Sequence, residues 1–267
     1  MNLKMVATTM VALTFACNTQ AQSHVLQVNT KKTVAPIQST MYGLFFEDIN
    51  YAADGGLYGE LVKNRSFEFP QPLMGWQTFG HVTVENDGPF ERCPHYVTLA
   101  YPGHRERRSG LVNEGYFGIG VLKGEDYRFS VWAKAPNGEA RIKVQLIDEG
   151  TLEERQDFAT AHIDINSNGW KRYEVKIHSP KTDNKARLRI FLEGQQPVSL
   201  EHISLFPVNT FRNRTNGMRR DLGQALADIH PGVFRFPGGC IVEGEELANR
   251  YQWKNTIGPV ENRPLNR

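Results

Sequence analysis

Between residues 74 and 206, apolar side chains recur at every second position in short runs broken by turn residues, and this pattern narrows what the chain can become. Tyr127, Phe129, Val131 and Ala133 share one face of an extended segment, and Arg128, Ser130 and Trp132 share the other. Similar runs occupy 141–147, 170–178, 186–192 and 198–206, punctuated by Pro136-Asn137-Gly138, Ser167-Asn168-Gly169 and Glu193-Gly194. A period of two belongs to a strand. Many short strands joined by turns imply an all-β sandwich of jelly-roll type, without helices. The alternation sets Trp132 opposite the Tyr127–Ala133 face but does not choose which face is covered.

The flanks have a different pattern. Residues 22–73 suggest strand, loop and helix. Met41 to Phe46 is a short apolar strand with Glu47 and Asp48 at its end, Asp54-Gly55-Gly56 is a loop, and Leu57, Leu61 and Val62 recur at helical spacing. After Phe211 the helical period returns in Met218, Leu222, Ala225, Leu226 and Ile229. Thr215 or Asn216 is the expected cap and Pro231-Gly232 the stop. Val233 to Phe236 is then a short strand ending in Pro237-Gly238-Gly239-Cys240. An α/β unit split by an all-β run is an insertion, so the expected parts are 22–73, 74–206 and 207–267.

Residues 1–21 suggest an export signal. Lys4 is followed by the uncharged, mostly apolar run Met5 to Ala16 and then by Thr19-Gln20-Ala21, with small residues before a cut. The run is shorter than the ~20 residues of a bilayer span, and no later stretch could span a membrane. Ala16-Cys17 is a second processing reading, that of a bacterial lipoprotein, ranked below simple cleavage because Thr14 stands where such sites usually have Leu. The expected location is therefore secreted or periplasmic. Lys plus Arg is 31 and Asp plus Glu is 29, a net charge of +2 that gives nucleic-acid phosphates no basic excess to bind. Cys93 and Cys240 remain after cleavage and are expected as free, mostly buried thiols. The eight His residues are scattered, with no metal-ligand spacing.

Two blocks of sequence go further. The first is Tyr42-Gly43-Leu44-Phe45-Phe46-Glu47-Asp48-Ile49, with Gly55-Gly56-Leu57-Tyr58 and Asn64-Arg65-Ser66-Phe67-Glu68. The second is Arg235-Phe236-Pro237-Gly238-Gly239-Cys240-Ile241-Val242-Glu243-Gly244, running into Tyr251-Gln252-Trp253-Lys254-Asn255-Thr256-Ile257-Gly258-Pro259 and Arg263-Pro264. Together they resemble the start of an α-L-arabinofuranosidase of glycoside hydrolase family 51, in the branch with a carbohydrate-binding-like module near its N-terminus.

The resemblance implies a (β/α)₈ TIM barrel interrupted by the sandwich, with its sugar site at the C-terminal ends of the strands. It implies a retaining enzyme that releases terminal α-L-arabinofuranosyl residues from arabinan- or arabinoxylan-type polysaccharides, without a cofactor. Glu47 matches the family's glutamate that binds sugar hydroxyls rather than one of its catalytic pair. A carboxylate at a strand end can accept hydrogen bonds from two hydroxyls. From position alone, a solvated or Arg-paired charge is the commoner role for such a residue. Gly239 and Cys240 are expected to line the same pocket, since two glycines permit close backbone approach to a ligand. Some relatives have Asn in place of Cys240, and a small buried hydrophobe is an equal reading for that thiol. Tyr251 and Trp253 could border the sugar, although large aromatics after a strand more often pack into a core.

Glycoside hydrolysis normally uses two carboxylates. In the family both are Glu from later barrel strands, and they are expected beyond Arg267. The two flanks hold 113 residues, against ~250 for a complete barrel. The expectation is an N-terminal fragment without turnover of its own. The sandwich has two readings: a glycan binder using Trp76, Tyr96, Tyr116 or Trp132, or a structural buttress with those rings in its core. The alternative for the whole chain is a non-catalytic, secreted carbohydrate-binding protein. Arg105-Glu106-Arg107-Arg108 is expected as a solvated loop, and the glycosylation sequons at Asn64 and Asn213 are expected to be unused.

Overall fold

The computed structural model describes residues 25–103, 108–150 and 156–264. The expected export signal, Cys17 and most of the Arg105–Arg108 turn lie outside the described residues. The chain divides into two compact units, Met1–Gln38 and Ser39–Arg267. In the first, residues 25–38 are exposed, with one turn in which Lys32 N–H donates to Asn29 O.

The second unit is dominated by two antiparallel sheets. Its strands are β1 (Leu44–Phe45), β2 (Trp76–Phe79), β3 (His81–Glu85), β4 (Tyr96–Ala100), β5 (Gly110–Asn113), β6 (Ile119–Val121), β7 (Asp126–Lys134), β8 (Ala140–Ile147), β9 (Asp157–Ile165), β10 (Lys171–His178), β11 (Asp183–Glu193), β12 (Val198–Pro207) and β13 (Phe234–Arg235). The first sheet has the order β10-β7-β12-β4-β3. The second has the order β2-β5-β11-β8-β9, with β6 also on β11. The alternation of the sequence becomes the core. Tyr127, Phe129, Val131 and Ala133 of β7 are buried against Ile142, Val144 and Leu146 of β8 and Leu188 and Ile190 of β11 in one cluster. Trp132 is on the outer face. The core also takes in Val62 and Phe67, upstream of the alternating run.

The helix expected around Leu57, Leu61 and Val62 is not formed. Residues 57–63 run through turns and extended backbone instead. Gly59 N–H donates to Gly217 O, Arg219 N–H to Leu57 O and Leu61 N–H to Leu205 O, so these backbone groups bind distant segments rather than one another. The apolar period of Leu57–Val62 marks burial in the sandwich, a tertiary effect that overrides local propensity. Glu60, fully buried, is the hub of this junction and binds Arg65, Ser204 and the Leu205 amide.

The same pairing moves the start of the later helix. Helix α1 spans Arg220–Asp228 and begins after Arg219, with no side-chain cap. Thr215 and Asn216 are not its caps, because Gly217 and Arg219 are engaged with Leu57 and Gly59 before the helix can start. Asn64 is buried and hydrogen-bonded to the Pro72 and Met74 carbonyls, which leaves its sequon closed to a glycan.

One buried group stands apart. At a bulge in β12, His202 has φ +49° and Glu201 is wholly buried. Both Glu201 oxygens and His202 Nδ1 lack a hydrogen-bond partner among the described residues. Burial, then Glu261 and Glu68, push the Glu201 carboxyl up to about 9, and burial, then Arg65 and Arg172, push His202 down to about 3. Both are therefore neutral at pH 7, and their 3.9 Å approach is not an ion pair. Because the folded-state value of Glu201 lies above its unfolded value, its protonation favours the fold fully at acid pH. That contribution is lost as pH rises from about 4.5 towards 9. Urea denaturation between pH 7 and 9 should show stability falling with pH, and Glu201→Gln should flatten that slope.

Candidate functional site

The candidate site is built where β1 and β13 meet. The two strands pair in parallel, with Leu44 opposite Phe234 and Phe45 opposite Arg235. Leu44 N–H donates to Val233 O at 2.8 Å, Phe46 N–H to Arg235 O at 2.9 Å and Asp48 N–H to Pro237 O at 2.8 Å. Aromatic side chains hold the pair together, with the Phe46 ring 6.3 Å from Phe234 and 5.9 Å from Phe236. The Arg235 guanidinium lies 4.6 Å from the centre of the Phe45 ring. Beyond this pair both strands end together, and the Phe236–Pro237 peptide is cis.

At that end, Glu47 and the Pro-Gly-Gly-Cys turn come together. Gly239 N–H donates to Glu47 Oε1 at 3.3 Å. Gly238 has φ +138°, and a Cβ there would sit 2.6 Å from Glu47 Cγ and 2.8 Å from its Oε1. Only glycine lets the backbone pass so close to the carboxylate. Glu47 is half-buried, and its Oε2 makes no hydrogen bond among the described residues. It is thus held at one oxygen and open at the other.

Cys240 behaves differently from the expectation of a mostly buried thiol. It is exposed, at the start of the four-residue helix α2 (Cys240–Glu243), because the turn directs the chain outward after its second glycine. Cys93 is buried and free, as expected. Trp253 is exposed rather than packed in a core. Asp48 is a member of the site that the sequence reading passed over. Its carboxylate accepts from Ala53 N–H at 3.2 Å, and burial, opposed by that bond, moves it upward with help from Asp54. Burial and then the charge of Asp48 raise Tyr251. The adjacent Glu47-Asp48 pair after a strand was the available signal.

The family described as "Carbohydrate binding domain" matches residues 59–198, and that described as "Alpha-L-arabinofuranosidase 1 domain" matches residues 225–267. A solved structure of an arabinose-bound α-L-arabinofuranosidase of glycoside hydrolase family 51 superposes with TM-score 0.78 at 30% identity, over 88% of this chain and 40% of that one. The chain belongs to the carbohydrate binding domain family through its sandwich, and it is similar to α-L-arabinofuranosidases on both sides of that domain. Among curated α-L-arabinofuranosidases, an extracellular exo-acting protein of Streptomyces chartreusis is 41% identical over 87% of this chain and 29% of its own length. α-L-Arabinofuranosidase 1 of Arabidopsis thaliana is 34% identical over 86% of this chain and 35% of its own. The chain therefore spans about a third of the length of these relatives.

The rings first considered as sugar platforms are engaged elsewhere. Trp76 is buried against Phe67, and Tyr96 is buried with its hydroxyl on Asp87. Tyr116 packs edge-on to Tyr51, and Trp132 edge-on to Phe90. Trp76 and Tyr96 are thus part of the packed interior, while Tyr116 and Trp132 are half-buried.

Gly238→Ala should displace the Glu47 carboxylate and destabilise the turn by about 1 kcal/mol or more, since it adds both a clash and a positive-φ penalty. Hydrogen exchange at the Asp48 and Gly239 amides should quicken, while exchange in β7 and β11 stays unchanged.

Proposed function

We propose that this chain supplies the sandwich and the first sugar-contacting edge of an exported, retaining α-L-arabinofuranosidase. Its substrates are terminal α-L-arabinofuranosyl residues of arabinan- or arabinoxylan-type polysaccharides. The observation that supports this most directly is the Glu47 carboxylate, held by the Gly239 amide at the shared end of two parallel strands. The name of the Streptomyces relative, which includes the word extracellular, supports export.

The parallel β1–β13 pair supports the reading of residues 22–73 and 207–267 as the opening units of a (β/α)₈ barrel. So do the apolar side chains left exposed around it, among them Phe45, Leu222, Ile229, Val233 and Phe236. In a complete barrel, neighbouring strands and helices would cover them.

The chemistry follows from the geometry. With Oε1 fixed by Gly239, Glu47 presents Oε2 to a sugar hydroxyl, and Gly239 and Cys240 border the ring. Hydroxyl contacts of this kind hold the furanose against the attacking group and strengthen as the oxocarbenium-like transition state forms. Proton transfer and nucleophilic attack fall to a pair of glutamates expected beyond Arg267, and no cofactor takes part. The alternative, a non-catalytic glycan-binding protein, draws support from the carbohydrate binding domain match, which covers half the chain.

In the full-length protein, Glu47→Gln should lower kcat/KM on 4-nitrophenyl α-L-arabinofuranoside by about 10- to 100-fold, the loss expected for one charge-assisted hydrogen bond. Wild-type kinetics in that variant would remove Glu47 from the site. The 267-residue chain alone should give no turnover, and measurable hydrolysis by it would refute the assignment of the catalytic pair.

A further inference from the structure

The two outer faces of the sandwich differ. On the first sheet, Trp132 Nε1–H donates to Glu261 at 3.1 Å and its ring meets Phe90, so the flanking segments pack there. On the second sheet, the register lines up polar side chains in rows. One row is His162–Lys143–Phe191, the next is Asp164–Arg141–Glu193, and a third is Thr160–Gln145–Arg189.

Cations converge on the centre of this face. The Phe191 ring is buried beneath Arg108 at 4.7 Å, Lys143 at 5.6 Å and Arg189 at 5.9 Å. Lys143 shares Glu193 at 3.5 Å with Arg141 and His162. The carboxylate paired with Arg189, Asp157, stands 4.0 Å away. Arg108 has no carboxylate partner among the described residues. Three like charges over one apolar ring repel one another, and a bound anion would relieve that repulsion. Burial, and in smaller part Arg108, already pull the Arg189 guanidinium down. Beside Arg108 opens a cleft of about 320 Å³, lined by Tyr101, Ser109, Glu193 and Gln195 among others.

We propose that this face, from the Lys143–Phe191 row to the cleft beside Arg108, binds a sugar chain that contains carboxylates, that is, one with uronic acid units. The cations recognise the carboxylate. Glu193 and Gln195 recognise hydroxyls, and Glu193 would repel a small anion that has no hydroxyls to offer it. The proposal rests on the reading of the chain as part of a glycan-processing protein, and names a second class of sugar for it.

Affinity electrophoresis of the 267-residue chain tests this, in gels containing polygalacturonate, its methyl ester or neutral arabinan. Retardation by polygalacturonate and not by the ester is expected. Arg108→Gln and Lys143→Ala should each weaken it about tenfold, as for loss of one charge-assisted contact. Lys171→Ala, on the other sheet, should change nothing. Arg108→Gln keeps a polar side chain over Phe191, and thermal melting checks that each variant is folded. Equal retardation by the ester, no retardation at all, or an equal loss in Lys171→Ala would overturn the proposal. Hydrolysis of the neutral aryl arabinofuranoside is scored separately in the full-length protein. Turnover without acidic-glycan binding defeats this inference alone, and binding without turnover defeats the enzymatic reading alone.

Discussion

A single buried carboxylate joins the two parts of the second unit. Glu60 Oε1 accepts from the amides of Leu61 and Val62 at 3.0 Å and of Leu205 at 2.9 Å. Its Oε2 accepts from Ser204 Oγ at 2.6 Å and from Arg65 at 3.3 Å. Burial pushes this carboxyl upward, opposed by Arg65 and the other donors. A polar group so far from water is tolerable only when its lone pairs are used, and here five donors use them. The group ties the end of the first flank to β12, the central strand of the first sheet. Removing Arg65, the one charged donor, would leave the buried carboxyl without its counter-charge, which is more damaging than losing a surface ion pair.

The geometry of the site follows from that junction. Residues 57–59 leave Glu60 and pair with 217–219, which fixes where the second flank resumes. Helix α1 starts immediately afterwards and returns the chain to β13, and β13 lies parallel to β1. Glu47 and Gly239 meet because these steps place two strand ends side by side. The site therefore depends on the sandwich although the sandwich contributes no side chain to it.

How much of this could be read in the sequence varied with the range of the interactions. The alternation of Tyr127–Ala133 and its neighbours encoded the sandwich directly, because a half-buried strand records burial at every second residue. The helix at 220–228 was legible from its period, whereas its first turn was not. Cap propensity is local, and the competing bonds to Leu57 and Gly59 come from far along the chain. The same long-range pairing made Leu57, Leu61 and Val62 look helical when they lie in a turn and in non-helical backbone. Glu47 and Gly239, which the structure brings into contact, both lie in the motif blocks of the sequence. The exposure of Cys240 and of Trp253 was hidden, because residue type reports what is usually covered and not what the surrounding elements cover. The row of cations over Phe191 was invisible for a further reason: it joins β8, β11 and the segment before β5, three parts of the chain with no shared pattern.

The contact between Glu47 and Gly239 closes a loop of 192 residues. A disordered chain closes a loop of that length slowly and at a large entropic cost. Here the interior of the loop is the sandwich, and the backbone bonds joining Leu57 and Gly59 to Arg219 and Gly217 bring its entry and exit together. Once the sandwich has formed, the distance the β1 and β13 strands must search is set by the two short segments outside it. This topology favours an order of assembly in which the insert forms first and the β1–β13 edge condenses onto ends that are already neighbours. During synthesis, β1 must wait uncovered while the whole sandwich leaves the ribosome.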